Sequence, residues 1–465
     1  MAARIDWSRW PWALAMACLA APIGVLAGFQ PGLAIAAALA FAFVLIAFGN
    51  LAAGIAVFAF LGFVEIVPLF GPVLNLTKLA GILLALSWFA VLATRRDAEL
   101  DFFSVHPYVS TALGLFLGWA TLSTAWAEDT GLALTSVSRY ALNLVLFLIV
   151  FTAIRDRRDL GPVLLGFVAG AGFAAAYGLV SPSSEDPGRL ATGEFDPNEL
   201  AAVLVSGTSL SVGVIALYRG KPLIRLLALG IAIFCACGVW LTASRGGLIA
   251  LGIALIAAIL ISGRWRPVVA VMAIAFAAAS YVYFAGIAPA DVRERITEPA
   301  SGQARLQEGR TTIWQVAWRA FEANPAEGVG TGNFEVSSKH YLLQPGALLR
   351  SDQIINEPKV AHNSFLEVLS ELGVVGLALF VLIVGFSAAS TLIAARIFSE
   401  AGDHPMQAAA LCVAIALIGN LAAGFFFSGQ YSKQLWLLLG LGPALLSIAK
   451  RSETSGSGLN ADYTR

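Results

Sequence analysis

Three short stretches of this chain hold residues with chemistry to offer. His362 stands in "KVAHNSFLEVLSELG" (359–373), where a polar segment gives way to an apolar run. An imidazole near two guanidiniums has its protonated form disfavoured, which leaves it free to accept a proton near neutral pH. Taken alone, the same histidine reads as an interfacial side chain bonded to a helix end. Arg245 lies in "LTASRGG", a Ser-Arg-Gly-Gly turn between two apolar runs. Its guanidinium offers a planar fork of donors suited to phosphate, and the glycines would let backbone approach a ligand. Alone, it reads equally as an anchor that snorkels to lipid headgroups. Arg310 opens "GRTTIWQVAWRAFEANP", at a helix N-terminus where backbone N–H groups and the dipole favour an anion. By itself it is a solvated loop charge; together with Arg245 on one membrane face it would fit a diphosphate.

Ser364 and Glu367 form S-x-x-E, a capping box that begins an apolar helix, so Glu367 has a structural reading. Glu371 lies one turn deeper, where a carboxylate is costly unless it faces protein or water, and its role stays open. His106, His340 and His404 form no ligand-spaced cluster with His362, and no metal or cofactor is expected. Cys18, Cys235, Cys237 and Cys412 all fall inside apolar runs and read as small core hydrophobes.

Membrane helices must position these residues. The 465 residues are 58% hydrophobic and 12% charged, with a mean hydropathy of +0.80, which excludes an ordinary soluble domain. Basic and acidic residues number 29 each, so no global field argues for a nucleic-acid partner. The expected fold is an all-α integral membrane protein, a polytopic bundle of about 14 transmembrane helices (roughly 12–14) at about 20 apolar residues per span. The candidates are 11–29, 32–48, 51–69, 75–93, 107–125, 139–154, 161–180, 199–217, 222–241, 247–262, 267–286, 365–392, 406–427 and 433–449.

Arg95 and Arg96, then Arg155, Arg157 and Arg158, then Arg219, Lys221 and Arg225, then Arg264 and Arg266, then Arg396, then Lys450 and Arg451 fall in alternate connectors. That positive-inside pattern places both termini in the cytoplasm. Trp7, Trp10 and Trp12 fit an interfacial belt at an uncleaved first helix. The chain then divides into N-terminal membrane helices (1–180), central helices with an outer loop at 181–198 (181–287), a large outer loop (288–363), C-terminal helices (364–449) and a disordered cytoplasmic tail (450–465). Within the large loop, Ile313, Trp314, Ala317, Trp318 and Phe321 recur at helical spacing. Two tryptophans on one apolar face suit an interfacial helix lying over the mouth of the bundle.

In that order, "LTASRGG", "GRTTIWQVAWRAFEANPAEGVGTGNF" and "AHNSFLEVLSELGVVG" resemble the O-antigen ligase and polysaccharide polymerase superfamily over about Gly188 to Gly376. The resemblance implies a metal-independent, inverting glycosyltransferase in the bacterial inner membrane, with its site facing the periplasm. It implies an undecaprenyl-diphosphate-linked glycan as donor and a glycan or lipid A-core hydroxyl as acceptor. On the matching motifs, Arg245 and Arg310 would hold the diphosphate and His362 would activate the acceptor. "GRLATGEFDPNELA" resembles a further family element, which adds Arg189 and Asn198 as binding candidates, and Asn363 completes the His-Asn pair. Ligase and polymerase share the donor leaving group and differ in the acceptor, so these motifs serve both.

The reading from another class is a polytopic transporter or flippase of a lipid-linked or anionic solute. It calls for broken helices or charges near the bilayer midplane. Glu65 and Lys78 come nearest, and both lie near helix ends beside prolines.

Overall fold

The computed structural model describes residues 21–22, 24–65, 76–94, 102–183, 188–193, 195–297, 310–342 and 359–462. Trp7, Trp10, Trp12, Cys18, Arg95 and Arg96 lie outside these residues. Among the described residues there are helices and turns but no strand. In the first half the helices are α1 (Pro31–Gly49), α2 (Leu51–Val64), α3 (Leu76–Thr94), α4 (Phe102–Val105), α5 (Pro107–Leu122), α6 (Thr130–Ala153) and α7 (Arg157–Val180). Next come α8 (Pro197–Leu217), α9 (Pro222–Leu241), α10 (Arg245–Ile261), α11 (Arg266–Val282) and α12 (Ala290–Thr297). The last are α13 (Arg310–Ala323), α14 (Phe334–Leu342), α15 (Ser364–Glu400), α16 (His404–Ala423) and α17 (Lys433–Asp462).

Local chemistry sets many of these starts. Pro31, Pro107, Pro197 and Pro222 each stand at the first helical position, where the missing N–H would be an orphan in any case. Asp129, Asp156, Asp196 and Asp403 cap α6, α7, α8 and α16, each with its carboxylate accepting from first-turn N–H groups.

Among the described residues, nine helices are long and apolar enough to cross a membrane. Two shorter apolar helices, Leu51–Val64 and Arg245–Ile261, join them. Each candidate span after the first overlaps a described helix, so the all-α polytopic architecture follows, while the nine long helices among the described residues do not establish the expected count of about 14; the first candidate lies largely outside the described residues. The helices do not share the same surroundings. In α8, 72% of the residues are buried, whereas the span 263–287 is only 6% buried. Hence α8 is the hub, packed by α7, α9, α10 and α16, while α11 lies at the rim with its apolar side chains turned outward. At the far end, α17 continues to Asp462, past the Lys450 boundary where the sequence suggests a disordered tail. No proline follows Pro443 in it, so the backbone ladder continues.

One long helix is broken, and the break docks the 324–330 turn. Inside α15, Gly373 has φ +65° and ψ −169°, which no helix accommodates. Residues 364–372 therefore form a separate short helix ahead of the long apolar one. The break frees carbonyls, and the "NPAEGVG" turn fills them: Val329 N donates to Ser370 O and Gly330 N to Glu371 O, both at 2.9 Å. Trp119 Nε1 donates to Leu372 O at 2.8 Å, and Val374 N donates to Pro325 O at 2.9 Å. A Cβ at Gly373 would collide with the carbonyl of Ala326. Gly373→Ala should therefore cost about 2–3 kcal/mol from backbone strain and collision, read as a lower melting temperature in detergent.

Glu65 forms an ion pair with Lys433, which ties the end of α2 to the start of α17. This carboxylate thus has a structural partner at a helix end.

Candidate active site

Ser244 is the N-cap of α10: its Oγ accepts from Gly247 N at 2.9 Å and donates to Asn198 Oδ1 at 2.7 Å. Asn198 is the second residue of α8, so this bond fixes two helix starts against each other. Beside them, Arg189 Nε donates to Thr242 O at 3.0 Å and Leu190 N to Leu241 O at 2.8 Å. The 188–192 turn, the start of α8 and the turn before α10 are thus one unit.

Arg245 is the first residue of α10, half-buried, and its Nε donates to Arg295 O at 2.7 Å. The glycines after it do a different job from the one their sequence suggests. A Cβ on Gly246 would strike the Phe426 ring, and one on Gly247 would strike Ala201. They allow α10 to pack closely on α8 and on the turn after α16, rather than admitting a ligand.

His362 sits two residues before α15 with φ +49°. Among the described non-glycine residues, only His362 and Ala243 have positive φ, and Ala243 lies just ahead of Ser244 and Arg245. Such conformations cost about 1–3 kcal/mol and persist only where the surroundings hold them. Here both sides are held. Ala361 N donates to Glu367 Oε2 at 3.0 Å, and Ala361 O accepts from Trp314 Nε1 at 3.1 Å. On the other side, Asn363 Oδ1 accepts from Phe365 N and Leu366 N, each at 3.1 Å.

The N-cap of α15 is therefore Asn363, one residue earlier than the S-x-x-E pattern suggests. Ser364 is freed to bind the turn after α16: its N donates to Gly424 O at 2.8 Å, and its Oγ donates to Phe427 O at 2.9 Å and accepts from Gly429 N at 2.8 Å. Glu367 is more than a cap. Besides Ala361 N, it accepts from Ser428 Oγ and, at 2.7 Å, from Gln430 Nε2. A buried carboxylate is an acceptor only and needs several donors, which two segments supply here, the turn before α15 and the turn after α16. Glu371, one turn on, accepts from Tyr431 Oη at 3.3 Å and Phe334 N at 3.4 Å, so it faces protein rather than lipid.

Burial holds the His362 imidazole below its usual pKa of 6.5. The positive charges of Arg310 and Lys359 push the same way, and the Asp196 carboxylate opposes them. Arg310, Lys359 and Asp196 therefore each lie within electrostatic reach of His362. Arg310 is the first residue of α13, and that helix turns Ile313, Val316, Ala317 and Ala320 inward. Of its two tryptophans, Trp314 is partly buried on Ala361, and Trp318 is 50% exposed.

Arg310 thus lies within electrostatic reach of His362, and hydrogen bonds join Arg189 and Asn198 to the turn that carries Arg245. The start of α8 links the groups, because the Asp196 charge reaches the histidine and Asn198, two residues later, binds Ser244. Asn198 and Asn363 both use their amide oxygens to fix helix starts. Asp196 is the charged neighbour of His362 that sequence reasoning passed over. Its "DPN" setting marks it as a helix cap, but nothing in the pattern shows which distant loop its charge will face.

The arrangement defines a helical multi-pass membrane protein in which turns far apart in sequence carry the candidate cationic and imidazole side chains. Residues 230–381 match the sequence profile of the family described as O-antigen ligase, and this stretch contains Arg245, Arg310 and His362. The match bears out the family resemblance and assigns the protein a glycosyl-transferring role of ligase or polymerase type in polysaccharide assembly. No match is found among curated proteins.

Proposed function

We propose that the protein transfers a glycan from undecaprenyl diphosphate to an acceptor hydroxyl at the periplasmic face of the bacterial inner membrane. The observation that carries this reading is the placement of Arg310, at the start of α13, within electrostatic reach of His362, whose turn is held through the bonds of Ala361 to Glu367 and Trp314. A neutral imidazole beside a fixed cation suits a base working next to an anionic leaving group. The acceptor oxygen forms a bond to the anomeric carbon as the bond from that carbon to the diphosphate oxygen breaks. The hydroxyl proton passes to His362, and the diphosphate leaves with the bonding pair. A single displacement inverts the anomeric centre.

Arg310 and Arg245 would stabilise the charge that develops on the leaving group, each from the first turn of a helix whose N–H groups add to the field. Arg189 borders the same end of the structure through Thr242, and Asn198 holds the α10 start that carries Arg245. The Asp196 carboxylate would favour the imidazolium formed during transfer, the role a third group plays beside a catalytic base.

A cell-surface glycan gel tests the reading. A deletion strain with bare acceptor and accumulated lipid-linked polymer indicates a ligase, and single-repeat glycans indicate a polymerase; an unchanged glycan profile would refute both. In the complemented strain, Arg310→Lys should lower transfer at least about tenfold, because a point charge cannot reproduce the guanidinium fork.

A further inference from the structure

Outside the His362 cluster, α13 has a second feature that the transfer reaction does not yet use. Its outward side forms an open groove with Thr311, Trp314, Gln315, Trp318, Arg319 and Glu322 on one wall and Leu366 of α15 on the other. From Thr311 to Glu322 the wall runs about 16 Å at the rise of an α-helix. Trp318 is half exposed in it, and its Nε1 donates to Glu322 Oε1 at 2.7 Å. Arg319 Nη1 donates to Tyr341 O at 3.1 Å, so this wall is braced from behind by α14.

We propose that this groove is the binding site for the acceptor oligosaccharide, a deeper statement of the glycosyl-transfer reading on which it rests. Sugars pair apolar C–H faces with a rim of hydroxyls, and the groove offers matching chemistry. The Trp318 ring supplies an apolar platform, and Thr311, Gln315, Arg319 and Glu322 surround it with donors and acceptors. A lipid-facing wall would lack this density of polar and charged groups. The groove also leads to the reacting groups. Thr311 follows Arg310, and Trp314, which forms part of the wall, holds Ala361 beside His362. An oligosaccharide laid along α13 would present its end to the histidine.

The test uses the full chain in nanodiscs of phosphatidylethanolamine and phosphatidylglycerol. The probe is oligosaccharide released by mild acid from the surface glycan of the source cells. Wild type should show saturable tryptophan-fluorescence binding. Trp318→Ala should weaken binding about tenfold, and Trp318→Phe should recover most of it. In a transfer assay with lipid-linked donor, Trp318→Ala should raise the acceptor KM by a similar factor with kcat nearly unchanged. Equal affinity in wild type and Trp318→Ala would overturn the proposal. So would quenching of Trp318 by brominated lipid chains, which would place the groove against the bilayer. Transfer with an unaltered acceptor KM in Trp318→Ala removes the groove and keeps the enzyme. Trp318-dependent binding with no transfer by wild type keeps the groove and removes the enzyme.

Discussion

Replacing His362 with alanine is expected to lower glycan transfer about 10²–10⁴-fold, the usual contribution of a positioned base. The protein should remain folded, because the bonds that shape this turn come from Ala361, Asn363 and Ser364 rather than from the imidazole. His362→Asn makes the better control for folding, since asparagine tolerates the left-handed conformation found here. The pH dependence carries a sign. Burial, Arg310 and Lys359 hold the histidine below 6.5 against the pull of Asp196. The neutral, proton-accepting form therefore dominates above a midpoint lower than 6.5. Transfer should rise with pH through that midpoint and be level by neutrality. Arg310→Gln should move the midpoint up, because it removes a charge that disfavours the imidazolium, and Asp196→Asn should move it down. A pH–rate profile on reconstituted protein decides the matter. A profile unchanged in both variants would remove His362 from the role of base.

The membrane architecture was legible because its signal is compositional: runs of about 20 apolar residues declare themselves one at a time. Helix starts were legible too wherever proline stands in the first turn, as at Pro197 and Pro222. What the sequence concealed is the break at Gly373. "ELGVVG" reads as an uninterrupted apolar helix, since a single glycine costs a helix only about 1 kcal/mol. Only the docking of the "NPAEGVG" turn on the freed carbonyls makes the break pay, and that turn lies some forty residues away in the chain. The same limit explains Gly246 and Gly247. Their presence beside an arginine suggests ligand access, whereas their need comes from Phe426 and Ala201, partners that no local pattern reveals. The candidate site residues were chosen by type and motif, whereas the bonds of Glu367 and Trp314 to Ala361 and the reach of the Asp196 charge to His362 depend on how separate segments pack.

Glu367→Ala follows from that last point and should have the largest effect on stability. Its carboxylate accepts from Ala361 N, Ser428 Oγ and Gln430 Nε2, and the residue is 4% exposed. Truncation strands these donors away from water at about 1–3 kcal/mol each, so a loss of about 3–5 kcal/mol is expected after partial relaxation. The damage should be directional as well as large. Without Glu367, Ala361 keeps only the bond from Trp314, and the left-handed backbone at His362 loses one of the two bonds that hold it on the Ala361 side. Transfer should then fall in the fraction that remains folded. Glu367→Gln separates the two effects: it keeps the volume and one acceptor oxygen but turns an NH₂ group towards a donor. It should recover most of the melting temperature while transfer stays impaired. Full transfer by a well-folded Glu367→Gln protein would show that the turn holds His362 without this carboxylate. Activity lost only in proportion to folded protein would make Glu367 a packing residue and nothing more.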